Sequence, residues 1–404
     1  MSKKQAVWAL VASAVVLSAC SGGNDPEPTV TVTAETVAPS TDPEVPSDFR
    51  DDATRASLDF AITVVDERRQ EGGNAVVSPA SISYSMVIAG TGAVCTNEEA
   101  LVSALGVPAE EREDTYLSLA ADLAGREEAD YATRLSGLIL SNSTTGRADN
   151  EALSDLAERY SLSHMTVPES EIGITADMWA LDASDGRRDG LAAPLSASAD
   201  YSVLLNLSYW STWSASVDVT TLDFEFEDGR REPVPALELP ALAWEADSGT
   251  ILELPTTSPD STYLYYPDVA GTLGDLTADD WAIPGEGQEV VLTVPTLSAS
   301  ETTNVENLGD QSFLASGCEN PGFGASAEGS LASQHASYEF GVDGIAADHV
   351  GDVVEPGRET LTPDRSGTNA KIIAVDRAFA VMTVDEETGW ALLYGMIGDP
   401  TVRN

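Results

Sequence analysis

The order in which apolar runs are broken constrains this chain more than any single motif in it. Leu58, Phe60, Ala61, Val64 and Val65 recur at helical spacing and predict an amphipathic first helix. Asn74-Ala-Val-Val then reads as an apolar strand, stopped by Ser78-Pro79 and followed by a helix over residues 82–89 and a loop at residues 90–93. Thr96-Asn97-Glu98-Glu99 has the side chains of a helix cap and leads into Ala100-Leu101-Val102-Ser103-Ala104-Leu105-Gly106. Strand-like runs follow at residues 135–142, 205–213, 252–254, 263–267 and 290–294, and Asp228-Gly229 is the residue pair of a tight hairpin turn. The chain closes with Phe379-Ala-Val-Met, a turn at residues 385–389, and Trp390-Ala-Leu-Leu-Tyr394-Gly395-Met-Ile.

Ahead of this body lies an export signal. Lys3 and Lys4 form a short basic region, residues 6–16 an apolar stretch, and Leu17-Ser18-Ala19-Cys20 ends it. That ending resembles the bacterial lipoprotein cleavage box, which implies residues 1–20 as signal peptide and Cys20 as the lipid-bearing first residue of the mature chain. The expected location is the outer face of the cell membrane, anchored by lipid. Residues 21–51 are poor in large apolar side chains and rich in Ser, Thr, Glu, Asp and Pro, so they are expected to form a tether, with one domain over residues 52–404. With 67 acidic and 20 basic residues the formal charge is −47, which argues against nucleic acid as partner and favours a basic one. After Cys20 only Cys95 and Cys318 remain, and an exported chain with two cysteines more often pairs them, so a disulfide between them is expected.

Catalysis has no constellation to stand on. The histidines are His164, His335 and His349, and the chain has no GxSxG nucleophile elbow, no HExxH and no glycine-rich phosphate loop ending in Lys-Ser or Lys-Thr. The one lysine of the mature chain, Lys371, has Thr368 rather than serine three residues before it, as a penicillin-binding motif would not. Cysteine and histidine spacing offers no metal site, and no cofactor is expected.

The order of punctuation resembles one family closely. Serpins, suicide inhibitors of serine proteases, write the strand and second helix as N-V-x-S-P-x-S, as Asn74 to Ser81 does here, and end a following helix in A-L-G. Trp179 with Gly186 resembles the family's W-V-x-x-x-T-x-G helix, Leu205 to Trp213 its VNAIYFKGKW strand one residue short, and Phe224 to Gly229 its F-x-x-x-D-G hairpin. Leu252 to Pro255, Tyr263 to Pro267 and Val290 to Pro295 fall where serpins place LELPY, ILP and LPKF, and Phe379 to Pro400 resembles the family's C-terminal strands. The resemblance implies an α+β fold with a large mixed five-stranded sheet, two further sheets, eight to nine helices and an exposed reactive-centre loop. It also implies a monomer that binds an extracellular serine protease and is not itself an enzyme, or else a non-inhibitory member that binds a ligand or protein.

In such an inhibitor a protease cuts the loop, and the loop then enters the large sheet as a new strand. Residues 344–356 have the pattern for it: Ile345, Ala347, His349, Gly351 and Val353 form an apolar face broken by one histidine, and Ala346, Asp348, Val350, Asp352 and Val354 the other. Pro356 ends the run because it donates no ladder hydrogen bond. The hinge Gly344-Ile345-Ala346-Ala347-Asp348-His349 departs from the inhibitory pattern, which follows glycine with Thr or Ser, an acidic residue and four small ones. Fourteen residues on from Gly344, as the family counts, the scissile pair is Arg358-Glu359. Counting back from Phe379 favours Arg365-Ser366. Either arginine suits a trypsin-like protease with an acidic pocket floor.

Overall fold

The computed structural model describes residues 32–39, 43–69, 73–91, 97–184, 200–269, 273–283, 285–304, 329–331, 333–347 and 371–402. Six α-helices lie among them: α1 (Ser47–Arg68), α2 (Pro79–Gly90), α3 (Glu98–Leu105), α4 (Ala109–Leu123), α5 (Asn150–Tyr160) and α6 (Ile172–Ala183). The first half also holds β1 (Asn74–Val77), β2 (Tyr131–Asn142), β3 (Ser163–Val167), β4 (Tyr201–Thr212), β5 (Asp218–Glu225), β6 (Arg231–Glu245), β7 (Gly249–Leu254) and β8 (Ser261–Pro267). Then come β9 (Gln288–Pro295), β10 (Leu297–Asn304), β11 (Gly329–Leu331), β12 (Ser333–Gly341), β13 (Gly344–Ala347), β14 (Lys371–Ala374), β15 (Phe379–Val384) and β16 (Ala391–Ile397).

Local chemistry sets the ends of the helices. Pro79 occupies the first turn of α2, where its missing N–H costs nothing, and the Ser78 hydroxyl accepts from the Ser81 N–H at 3.2 Å. Asn97 caps α3 by accepting from Ala100 N–H, and Gly106 ends it with φ at 74°. A side chain there would strike the Asp52 carbonyl. The first helix starts eleven residues before the apolar spacing that predicts it. Its leading turns bury Ala53, Thr54 and Ser57, small residues that a search for large apolar ones passes over. Ser47 thus lies inside the stretch read as a tether, and within that stretch Val32 and Val37 are buried as well.

The strands form two sheets. One has seven strands in the order β10-β12-β13-β4-β2-β3, with β11 beside β4. Its pairings are mixed, β2 being antiparallel to β4 and parallel to β3. The other has nine strands in the order β1-β16-β15-β8-β7-β6-β9-β14, with β5 on β6. The two further sheets implied by the resemblance are joined here through β6. Its 15 residues pair with β5 at one end and β7 at the other, and with β9 between them. The main apolar core fills the space between the two sheets and α1 to α5, and a second, smaller cluster seats α6 on the outer face of β2 and β4 through Leu138, Leu140, Leu204, Trp179 and Ala180. A buried chain of hydroxyls, Tyr338 to Thr383 to Thr262, ties β12 to β15 and β8.

Candidate functional site

The site is the slot between β12 and β4. These strands run parallel and are separated by β13, which folds back from β12 through Val342-Asp343 and is antiparallel to both. Gly344, Ile345, Ala346 and Ala347 stand opposite Thr212, Ser211, Trp210 and Tyr209 of β4. On the other side Gly344, Ile345 and Ala346 stand opposite Gly341, Phe340 and Glu339 of β12. At the far end of β4 the slot is closed, because Gly329–Leu331 pairs directly with Tyr201, Ser202 and Val203. The sheet is therefore opened at one end by four residues.

Alternation decides what those residues do. The Ile345 side chain is 1% exposed and belongs to the main core, while Ala346 on the opposite face is half-buried. Gly344 has φ of 148°, a left-handed conformation, and a Cβ there would collide with the Ser211 carbonyl. Gly344→Val is expected to unseat β13 at a cost of about 2 kcal/mol. Hydrogen exchange reads this directly: protection of the amides of residues 345–347 should vanish, and retained protection would refute the account.

The open end of the slot is framed by polar contacts. Trp213, one residue beyond β4, donates its indole N–H to the Gly341 carbonyl at 2.9 Å. The Ser211 hydroxyl accepts from the backbone N–H groups of Thr257 and Ser258 at 3.1 and 3.0 Å, and Thr212 N–H donates to the Asp130 carbonyl at 2.9 Å. Ser258 donates in turn to Asp260 Oδ2 at 3.3 Å. Asp260 is fully buried and shares the Arg126 guanidinium with buried Asp385: Arg126 Nη1 lies 2.8 Å from Asp260 Oδ1 and 2.5 Å from Asp385 Oδ1. Thr133 of β2 donates to Asp260, and Thr388 to Asp385 at 2.5 Å. Burial raises the Asp260 pKa above the ordinary aspartate value, against the pull of Thr133 and Arg126.

Of the residues singled out from sequence, Gly344, Ile345, Ala346 and Ala347 come together in β13 at this slot. Asp348, His349, Arg358, Glu359, Arg365, Ser366, Cys20, Cys95 and Cys318 lie outside the described residues. Reasoning from sequence misses Arg126, Asp260 and Asp385. In Gly125-Arg126-Glu127-Glu128 the arginine has acidic neighbours and reads as a solvated loop charge, and its partners are 134 and 259 residues away.

No protein-family model matches the chain. A curated relative, Serine protease inhibitor 42Dd of Drosophila melanogaster, is 30% identical over 155 residues, a stretch that spans 36% of this chain and 41% of that protein. Among solved structures, native Tengpin, a thermophilic serpin, superimposes with a TM-score of 0.71 at 14% identity, covering 91% of this chain and all of Tengpin. Human thyroxine-binding globulin, solved with thyroxine, superimposes with a TM-score of 0.71 at 16% identity over 88% of this chain and all of that one. The chain has the serpin fold. The serpin fold accounts for the motif order from Asn74 to Pro400, for the large mixed sheet, and for the sheets built around β6.

Proposed function

We propose that the chain belongs to the serpin family and inhibits a trypsin-like extracellular serine protease as a suicide substrate, held at the cell surface by lipid on Cys20. One observation carries the reading: Gly344–Ala347 already occupies the first four positions of a strand between β12 and β4, so residues from Asp348 onward have a place to go. The partial likeness to a curated protease inhibitor supports the same class. The bait is Arg358-Glu359, with Arg365-Ser366 as the competing bond. Ile345 sits where inhibitory members carry Thr or Ser, and its burial draws the hinge inward.

The chemistry asked of the protein is mechanical. Protease attack would leave the loop's arginine carbonyl esterified to the enzyme's serine, and release of the new amino terminus would free residues 348–358 to extend β13 along β4. The inhibitor wins if insertion outruns hydrolysis of that ester. A second reading, a non-inhibitory member that binds a ligand or protein, is favoured by Asp348 and His349, which stand where small residues ease insertion. Incubation with trypsin separates the two. A covalent complex that survives SDS is the expected result, and clipped chain with fully active trypsin would reject inhibition.

A further inference from the structure

The outward line of α6 is apolar. Its inner face is buried and packs on β2 and β4 through Ala176, Trp179 and Ala180. Ile174, Met178 and Leu181, at the i, i+4, i+7 spacing of a single helix face, point the other way and are 62%, 36% and 41% exposed. Asp177 and Asp182 stand on either side of this ridge, so the residues farthest from the sheet are the apolar ones. Among the described residues the other large apolar side chains that are exposed come one to an element, as Val102 on α3, Val219 on β5 and Ile372 on β14. Single ones are ordinary on a protein surface, whereas three in line on one helix call for something to cover them. The chain that leads to the lipid ends on the same helix. Val32 enters the small cluster beneath α6, and Ala34 N–H donates to Asp182 Oδ2 at 2.7 Å. From Cys20 to Val32 the chain has twelve residue steps, which reach at most about 40 Å.

We propose that the ridge of Ile174, Met178 and Leu181 lies against the lipid surface that holds Cys20, turning the outer face of β2 and β4 toward the membrane. This contact presupposes that Cys20 carries lipid, and adds which face of the molecule meets the bilayer. Three side chains bind a bilayer weakly from solution. Held within about 40 Å of it, they meet it at an effective concentration in the roughly millimolar range, where a weak contact is occupied. The surface they fit is zwitterionic: α6 has two aspartates and no basic residue, and the chain carries a formal charge of −47, so anionic headgroups repel it. With 12 residues α6 is about 18 Å long, too short to cross a bilayer and suited to lying along one.

The test uses the full chain, purified with its lipid and reconstituted into phosphatidylcholine vesicles that carry a photoactivatable diazirine on the acyl chains. After irradiation, mass spectrometry locates the label, and the peptide that begins at Cys20 serves as the internal standard. Residues 174–181 should take up more label than Val219 or Ile372. That label should fall at least about fivefold when Ile174→Asp, Met178→Asp and Leu181→Asp are combined, because charges in the ridge oppose its burial in lipid while the anchor keeps the chain in the membrane fraction. Ile174→Thr with Met178→Gln and Leu181→Gln should lower it by a smaller factor, and carries the test alone if the charged variant fails to fold. Replacing half of the phosphatidylcholine by phosphatidylglycerol should also lower it, and stronger labelling there would overturn the zwitterionic preference. Acyl mass on Cys20 with α6 unlabelled, or label that the variants leave unchanged, would overturn the contact alone. So would cross-links between the α6 helices of two copies in place of label, which would make the ridge a dimer face. A Cys20 peptide without acyl mass would overturn the anchor and the contact together.

Discussion

Arg126→Ala is expected to cost about 3–5 kcal/mol, the general cost of removing one member of a buried ion pair, because it leaves two carboxylates with no counter-charge. Asp260 and Asp385 are 0% and 1% exposed at their side chains, and both lean on the same guanidinium nitrogen. Burial works against the charge on Arg126, yet Asp385 and Asp260 more than offset it and hold the guanidinium above its ordinary pKa. Chemical denaturation measures the loss, and its pH dependence identifies the cause. Asp260 has its pKa raised in the fold, so its contribution is fully present below the ordinary aspartate value and is lost as pH rises through the raised one. Without Arg126 that pKa rises further. The deficit of the variant should therefore be largest at neutral pH and shrink on acidification toward pH 4. A deficit that does not change with pH would mean that the arginine acts through packing, and a loss under about 1 kcal/mol would remove the ion cluster as a brace altogether.

The position of that cluster gives the loss a second consequence. Asp260 receives Ser258, whose backbone N–H holds the Ser211 hydroxyl, and Ser211 is the register partner of Ile345. The brace and the seat of the hinge are two hydrogen bonds and one strand pairing apart. Sequence reasoning reaches one end of this chain and not the other. Ile345 and Ala346 are legible because a strand alternates, so a run with apolar residues at every second position announces which face is buried. Pro79 and Asn97 are legible because a helix end needs particular side chains within three residues of it. Arg126 is not, since its role is created by chain segments that only the fold brings together, and nothing in its own neighbourhood distinguishes it from Arg55, which pairs with Asp279 in solvent. Val32 and Val37 fail for a related reason. Isolated valines in a stretch of Thr, Glu and Pro do not lower its polarity enough to announce a packed segment, yet an edge left open by the short β3 accepts these two.

Cleavage after Arg358 is expected to raise the melting temperature of the chain by roughly 10–20 °C, because a strand's worth of apolar and backbone groups then enters the sheet. The register fixes how far that strand can run. With Gly344 opposite Thr212 and Ala347 opposite Tyr209, continuing the same antiparallel pairing sets His349 opposite Leu207, Val353 opposite Val203 and Glu355 opposite Tyr201, the first residue of β4. Pro356 would then fall just past the strand, where its missing N–H is harmless. The new strand would displace Gly329–Leu331 from β4 and close the slot along its whole length. Ile345, Leu207 and Val203 share the main core, so His349 would arrive on the buried side, and an imidazole left there without a partner costs about 1–3 kcal/mol. That penalty slows insertion but is small beside the gain from Val353 and the completed ladder. Cleavage after Arg365 would instead leave Pro363 and the residues around it beyond the end of β4, with no strand to pair them. Mass spectrometry of the trypsin-treated chain, followed by calorimetry, tests both halves of the argument. A cut at Arg365 would overturn the choice of Arg358, and equal melting temperatures for clipped and intact chain would show that the four residues of β13 are as far as the loop goes.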